Sequence, residues 1–173
     1  MKRLIFILIT ILMLSNAVWS YLYFNKNSDE TAANHTVRLY VLNGTGEKWD
    51  VKNYKIIISS DKILRGHAEL VYKGSSKEIE NSTYFNYTFY ESGHDNQKEA
   101  VYAKDARSFG GPISILDNNK DVGSITGEYS YGETKKDRNN YESTTLEISW
   151  KDNEGEDHLE MIELDIDSEI VMK

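Results

Sequence analysis

The run DNNKD that begins at Asp117 has the residue types best suited to metal chemistry. Asp117, Asn119 and Asp121 alternate as ligands do in a calcium loop. Counted from Asp117, Glu128 falls at the twelfth position. Calcium takes about six to eight oxygen ligands, which such side chains supply. Val122 stands where a calcium loop needs glycine, so a polar turn between two strands is the competing interpretation.

Two His-x-Glu pairs, His67/Glu69 and His158/Glu160, suggest a second kind of metal site. Residues two apart in a strand point to the same side of the sheet. Imidazole and carboxylate groups bind transition metals, so the four side chains would form a site if their strands were neighbours. Apolar residues alternate with both pairs, which favours the simpler interpretation of two faces turned to water.

Hydrolase motifs are missing from the sequence. It contains no cysteine, no Gly-x-Ser-x-Gly elbow, no His-Glu-x-x-His helix and no phosphate-binding glycine loop. Acidic residues are abundant, so a carboxylate pair that cleaves cell-wall glycan stays open as the least favoured alternative. We predict a protein that is not an enzyme and uses no cofactor.

Tyrosine is the residue type that points to binding. The chain has 12 tyrosines, and three of them lie in or beside the polar residues 127–143. Two more share one face of an aromatic strand. Tyrosine offers rigid, amphipathic contact area at low entropic cost. The alternative is that these side chains pack over strand edges beside a mobile loop. The predicted contact surface consists of Tyr84, Tyr90, Tyr129, Tyr131 and Tyr141.

Residues 4–24 form an apolar segment behind Lys2 and Arg3, and only four of its 21 positions are polar. A helix needs about 20 such residues to cross a bilayer. The positive charges should stay in the cytoplasm while the rest is exported. We therefore expect a single-pass cell-membrane protein with its C-terminal domain outside. A signal peptide cleaved after Ala17 or Ser20, which would leave a secreted protein, is the alternative.

Composition narrows the class of partner. Without residues 1–24, the chain keeps 149 residues, of which 18 are basic and 28 acidic, so its formal charge is −10. Nucleic acid and other polyanions would be repelled. Cations, basic peptides or neutral glycans are the more plausible partners, and an envelope protein or glycan is the expected one. The lack of cysteine excludes an N-terminal lipoprotein and, with the Lys-, Asn- and Glu-rich composition, suggests a Gram-positive bacterial surface protein.

Period-two alternation dominates the chain from Thr36 onward. In residues 36–42, Val37, Leu39 and Val41 alternate with polar or aromatic neighbours. Eight or nine short strands separated by turn residues predict an all-β fold, an antiparallel β-sandwich of immunoglobulin-like or jelly-roll-like type. A barrel is the alternative. Trp49 and Trp150 are expected in the core. Strands are predicted over residues 36–42, 49–59, 65–72, 83–91, 99–103, 112–117, 122–126, 141–150 and 158–166.

These patterns divide the chain into four segments. Residues 1–24 are the signal peptide or anchor, and residues 25–35 are a polar tether. Residues 36–167 are the extracellular sandwich domain, and residues 168–173 are a C-terminal tail.

The chain resembles a group of small exported or membrane-anchored proteins of Bacillus-type Gram-positive bacteria. The resemblance rests on the spacing of Trp49, Val51, Tyr54 and Ile56, on Gly66-x-x-x-Leu70-x-Tyr72, and on residues 112–132 with Trp150-Lys-Asp. It covers most of residues 45–165. It implies an exported location and a β architecture, and no activity or site residue.

Overall fold

The computed structural model describes residues 12–21, 36–117 and 119–173. Residues 12–21 are helical (α1) and belong to one compact unit, and residues 36–173 form a second unit. Among the described residues, no helix has both the length and the apolar character needed to cross a membrane. The predicted tether 25–35 and most of the predicted segment 1–24 lie outside the described residues.

The second unit is built from short strands, as the alternation predicts. It also contains a single turn of 3-10 helix, Ser76–Glu78, and two short α-helices. The helices are α2 (Tyr131–Thr134) and α3 (Arg138–Glu142). The strands are β1 (Val37–Thr45), β2 (Trp49–Ile58), β3 (Lys62–Gly66), β4 (Glu69–Tyr72), β5 (Tyr84–Ser92), β6 (Lys98–Arg107), β7 (Ser124–Glu128), β8 (Thr145–Lys151), β9 (Asp157–Glu163) and β10 (Asp165–Met172).

The strands form two sheets in which every pairing is antiparallel. The first sheet has the order β10-β1-β2-β3-β7, and β4 also pairs with β2. The second has the order β6-β5-β8-β9. The all-β antiparallel prediction is confirmed, and two such sheets with a common core are consistent with a β-sandwich.

Aromatic contacts join the inner faces of the two sheets. Tyr54 of β2 stacks on Phe89 of β5, with ring centroids 4.1 Å apart and planes 7° apart. Trp49 of β2 meets Trp150 of β8 edge to face at 5.8 Å. Both tryptophans are buried, at 0% and 4% exposure, as predicted from the sequence. Edge-to-face and offset-stacked pairs add to the free energy gained by burying these rings.

A bulge in β2 keeps its large side chains on one face. Asn53 has φ of 59°, and its N–H donates to Asn43 Oδ1 at 2.8 Å. Asparagine tolerates this left-handed conformation better than most residues do. The extra residue shifts the strand register, so Val51 and Tyr54, three positions apart, are both buried.

The predicted strand over residues 65–72 is interrupted. Gly66 ends β3 with φ of +134°, and a Cβ there would lie 2.2 Å from the backbone oxygen of Gly123. His67 follows with φ of 55°. Only glycine fits so close an approach in this conformation. The chain therefore turns at Gly66, and β4 begins at Glu69 beside a different part of β2.

Two predicted segments need correction. Residues 112–117 form no strand, and residues 115–117 are a turn. Ile115 is nevertheless buried, at 3% exposure, and packs against the core from outside the sheets. Residues 168–173 are not a free tail, since β10 runs to Met172 and pairs with β1 as far as Val37. The sandwich domain accordingly extends beyond residue 167.

Buried tyrosines make the domain sensitive to alkali. Burial raises the pKa of the Tyr54, Tyr87 and Tyr141 hydroxyls. In the unfolded chain these groups lose their protons near pH 10. Their contribution to stability is therefore complete below about pH 10 and is lost as the pH rises toward the folded pKa values. We expect the Tm to fall steadily above about pH 10, with phenolate absorbance from these rings appearing only as the chain unfolds. Phenolate formation by all 12 tyrosines in a folded chain would contradict this.

Candidate functional site

A buried ionic cluster lies under the polar segment 129–143. Arg65 on β3 donates from Nε to Glu91 Oε1 at 2.6 Å and from Nη2 to Glu91 Oε2 at 2.7 Å. The same Nη2 donates to Glu133 Oε1 at 2.8 Å. The Arg65 and Glu91 side chains are 8% and 0% exposed. Burial alone would lower the pKa of Arg65, but the hydrogen bond and charge of Glu91 outweigh it, so the pKa is raised.

Lys136 completes this cluster from the segment between α2 and α3. Its Nζ lies 3.3 Å from Glu91 Oε2, 3.0 Å from Glu99 Oε2 and 3.4 Å from Glu133 Oε1. Its side chain is only 2% exposed. Burial lowers the pKa of Lys136, and the surrounding carboxylates raise it by more. Every buried charge here has an opposite partner, which is the condition under which proteins tolerate buried charges.

Further contacts fix the segment to the two sheets. Tyr141 of α3 is 2% exposed and stacks on Tyr40 of β1, with centroids 5.4 Å apart. Asn140 Nδ2 donates to the backbone oxygen of Gly93, in the turn between β5 and β6, at 2.8 Å. Asp137 and Asn140 form a capping box at the start of α3. These contacts hold residues 129–143 against the sheets and favour an ordered segment over the mobile-loop alternative.

The polar segment 129–143 and the β5–β6 turn form the two walls of an open groove of about 400 Å³. Its lining consists of hydroxyl, amide, imidazole and charged side chains. Asp137 supplies its carboxylate, and Asp137 Oδ1 accepts the N–H of Asn139 at 2.8 Å as the cap of α3. The lining residues are Ser92, His94, Asn96, Lys135, Asp137, Asn139, Asn140 and Ser143.

One exposed aromatic ring stands on the same segment as the groove. Tyr131, in α2, is 75% exposed. The ammonium of Lys135, which lines the groove, lies 4.1 Å from the centre of the Tyr131 ring. The ammonium is attracted to one face of the ring and leaves most of the tyrosine side chain exposed. A ligand in the groove can therefore meet hydrogen-bonding groups, while the ring offers a flat apolar surface nearby.

The structure separates the five predicted contact tyrosines. Tyr131 is exposed, Tyr129 packs partly against the core, and Tyr141 is buried. Tyr141 was predicted as a contact residue, and its burial in the core removes it from any binding surface. Tyr84 and Tyr90 are half-buried on the outer face of β5, beneath the Arg107 guanidinium at 4.7 Å and the Lys98 ammonium at 4.1 Å respectively.

Two of the four predicted calcium ligands, Asp117 and Asp121, are engaged by protein groups. Asp121 Oδ1 accepts from the Gly123 N–H at 2.8 Å, and Asp121 Oδ2 lies 3.2 Å from His67 Nδ1. Asp117 accepts a hydrogen bond from Ser114. Glu128 is exposed at the end of β7, and Asn119 is buried, with Oδ1 unpaired among the described residues. The calcium site stays a prediction that these contacts do not favour.

The two His-x-Glu pairs lie on different sheets, so they do not form the four-ligand site. Glu69 begins β4 in the first sheet, and His67 lies in the short β3–β4 connection before it, whereas His158 and Glu160 lie on β9, in the second sheet. Glu160 accepts backbone N–H groups of Glu47 and Lys48 in the β1–β2 turn. The glutamate of the second pair therefore has a structural role.

A larger depression of about 880 Å³ lies between β1 and the β9–β10 corner. It is shallow, open to water and lined by three carboxylates, those of Glu163, Asp165 and Asp167. Exposed carboxylates of this kind are expected on a domain with a net negative charge and need no ligand to explain them. The groove beside α3 is the better candidate because its donors and acceptors are mixed and its walls are tied together.

Most residues that line the groove were not predicted from the sequence. His94, Asn96 and Lys135 were not singled out, because the β5–β6 turn and residue 135 are far apart in the chain and are joined only by folding. The polar character of residues 127–143 was the one available signal, and it identified one wall.

A comparison of the chain with models of protein families, with curated proteins and with solved structures finds no match.

Proposed function

We propose that this chain is an exported, non-enzymatic binding protein whose β domain captures a neutral, hydrogen-bonding partner, such as an envelope glycan, in the groove between the β5–β6 turn and α3. One observation carries the proposal: a polar groove with rigid walls lies beside Tyr131, which is three-quarters exposed.

Rigidity favours binding because a preformed site loses little conformational entropy when the partner arrives. The buried cluster of Arg65, Glu91 and Lys136 anchors one wall. The Asn140–Gly93 hydrogen bond ties that wall to the other. Burying three charged side chains merely to order a surface segment would be a costly arrangement. A need to hold the groove in one shape explains it.

The lining chemistry favours a neutral partner. Lys135 and Asp137 place one charge of each sign in the groove, and amides and hydroxyls supply most of the remaining polar atoms. Amides and hydroxyls can both donate and accept, as sugar hydroxyls do. Beyond the first 24 residues the chain has 18 basic and 28 acidic residues, a formal charge of −10 that opposes polyanionic partners at long range.

The groove offers little for hydrolysis. A glycosidase needs two carboxyl groups on either side of the scissile bond. Among the lining residues, Asp137 alone carries a carboxylate, and it is occupied in capping α3. Binding without turnover is therefore the function that these residues support.

Export rests on the sequence of residues 4–24, which we propose as a membrane anchor or signal peptide. The described part, α1, carries apolar side chains that are open to the surroundings, such as Trp19 at 73% exposure. Exposed apolar side chains of this kind suit a bilayer better than water. The anchored form would place the C-terminal β domain outside the cell.

Capture by envelopes tests the binding site. Purified full-length chain in mild detergent is mixed with washed envelopes of a Gram-positive bacterium, and the bound fraction is measured. Tyr131→Ala combined with Asn139→Ala is expected to lower the apparent affinity about tenfold or more, because exposed aromatic anchors contribute disproportionately to binding. Both side chains are exposed, so the Tm should change little.

Tyr90→Ala is the matched control, since Tyr90 also carries a lysine ammonium 4.1 Å from its ring centre but lies outside the groove. It should bind like the parent chain. Loss of capture in Tyr90→Ala with normal capture in the groove variant would move the site to the outer face of β5. Release of soluble glycan fragments by the parent chain would contradict the non-enzymatic assignment.

A further inference from the structure

A cluster of metal-ligating side chains lies at the β8–β9 hairpin, away from the groove. Asp152, Glu156 and His158 each present one ligand atom, and the three atoms lie within 4.8 Å of one another. His158 Nε2 donates to Asp152 Oδ2 at 2.8 Å. That hydrogen bond holds the pKa of Asp152 below its usual range.

The hairpin is anchored to the rest of the domain by Asn153. Its backbone N–H donates to the Glu78 oxygen at 2.9 Å, and its Oδ1 accepts the Asn81 N–H at 2.8 Å. Its Nδ2 also donates to the Lys77 backbone oxygen. An isolated hairpin turn would fluctuate, but this one is fixed against the 3-10 turn between β4 and β5. The three ligand atoms therefore sit on a preorganised frame.

The imidazole of His158 is oriented by an aromatic neighbour. Its ring stacks on Trp150, with centroids 5.1 Å apart and planes 15° apart. The His158 side chain is still 38% exposed, so an ion can reach it. The neighbouring cation, Lys151, is paired with Asp157 at 2.9 Å and with the Gly155 oxygen at 3.2 Å. Its charge is thus neutralised outside the cluster.

We propose that Asp152, Glu156 and His158 form a binding site for a divalent transition-metal ion such as Zn²⁺, Ni²⁺ or Cu²⁺. One imidazole nitrogen and two carboxylate oxygens are a ligand set that these ions accept, whereas calcium prefers oxygen alone. The ion takes the place of the direct contact between His158 Nε2 and Asp152 Oδ2. Three protein ligands leave coordination positions open for water or for a group on another molecule.

A second His–Asp pair provides an internal comparison. His67 Nδ1 lies 3.2 Å from Asp121 Oδ2, and this side chain is exposed to a similar degree, at 39%. In the described part of the chain, no third ligating group joins this pair. A metal that binds any exposed histidine beside an aspartate would use both places. A metal that requires the three-ligand cluster would use only the hairpin.

Quenching of tryptophan fluorescence reads out this site directly, because the indole of Trp150 is in contact with His158. Untagged full-length chain in mild detergent is titrated with Ni²⁺ at neutral pH. We expect saturable quenching with one equivalent bound, and competition by Zn²⁺. His158→Gln and Glu156→Gln should each weaken binding at least tenfold, as losses around metal sites do. Acidification should weaken binding because protons compete for the ligands.

His67→Gln is the matched control and should leave the Ni²⁺ titration unchanged. Glu156→Gln separates binding from folding, because the Glu156 side chain is exposed and its backbone oxygen makes the hairpin bond to Asp152. Absence of quenching up to millimolar Ni²⁺ would overturn the proposal. An unchanged titration in Glu156→Gln, or an equal loss in His67→Gln, would also overturn it, since either result would indicate binding to a histidine alone.

Discussion

Glu91→Gln is expected to lower the free energy of unfolding by about 3–5 kcal/mol, the range found when one member of a buried ion pair is removed. The Glu91 side chain is fully buried and accepts from both Nε and Nη2 of Arg65. Lys136 also relies on it, at 3.3 Å. Glutamine keeps the shape of the side chain but leaves two buried cations short of a counter-charge.

Urea unfolding followed by tryptophan fluorescence measures this effect, with an unchanged slope showing that the native state is intact. The double variant Arg65→Met/Glu91→Met should lose much less than the sum of the single variants, because an apolar pair leaves neither charge unpaired. A Glu91→Gln chain within about 0.5 kcal/mol of the parent, as is usual for surface changes, would show that the cluster does not anchor the segment.

Trp49→Ala is expected to cost about 3–5 kcal/mol, the usual range for removing a large aromatic side chain from a core. Trp49 is fully buried at the meeting point of the two sheets. Its ring lies 4.9 Å from Tyr72, 5.5 Å from Phe85 and 5.8 Å from Trp150. Deleting it removes the shared partner of all three rings.

Two comparisons make this result interpretable. Trp49→Phe should cost less, because a smaller cavity remains and edge-to-face contacts survive. Trp19→Ala removes an exposed tryptophan of the first unit and should leave the unfolding of the β domain unchanged. Equal stability of Trp49→Ala and the parent chain would contradict the two-sheet core described above.

The alternation of residues predicted where strands lie better than which side they bury. Strand β1 was found from Val37, Leu39 and Val41, yet the structure buries Tyr40 and Leu42 completely. Both faces of β1 carry large side chains, so period two alone does not choose between them. The choice follows from Tyr141, which reaches Tyr40 from α3 and could not be placed from sequence.

Long-range pairing explains the two misassigned segments. Residues 112–117 are apolar enough for a strand, but their backbone finds no neighbouring strand, and Ile113 instead donates its N–H to Ser82. The C-terminal apolar residues Ile170, Val171 and Met172 stay about half exposed, yet β10 pairs with β1 over seven residue pairs. Hydrogen-bonding partners, rather than local hydrophobicity, decided both segments.

The candidate groove illustrates the same limit. Residues 127–143 stood out in the sequence by their polarity, and Tyr131 within them was predicted as a contact residue. Lys136 was not singled out from the sequence, because nothing local reveals that Glu91 and Glu99 converge on it. Buried charge clusters are assembled from distant parts of the chain, so sequence periodicity does not report them.

Hydrogen–deuterium exchange of the full-length chain, free and bound to washed envelopes, tests the proposed binding site most directly. Binding in the groove should slow exchange of amides in two separate stretches, residues 92–97 and 131–143, and leave the outer face of the β5–β6–β8 sheet unchanged. Unaltered exchange in both stretches while the chain is bound, or protection confined to another surface, would contradict the proposal.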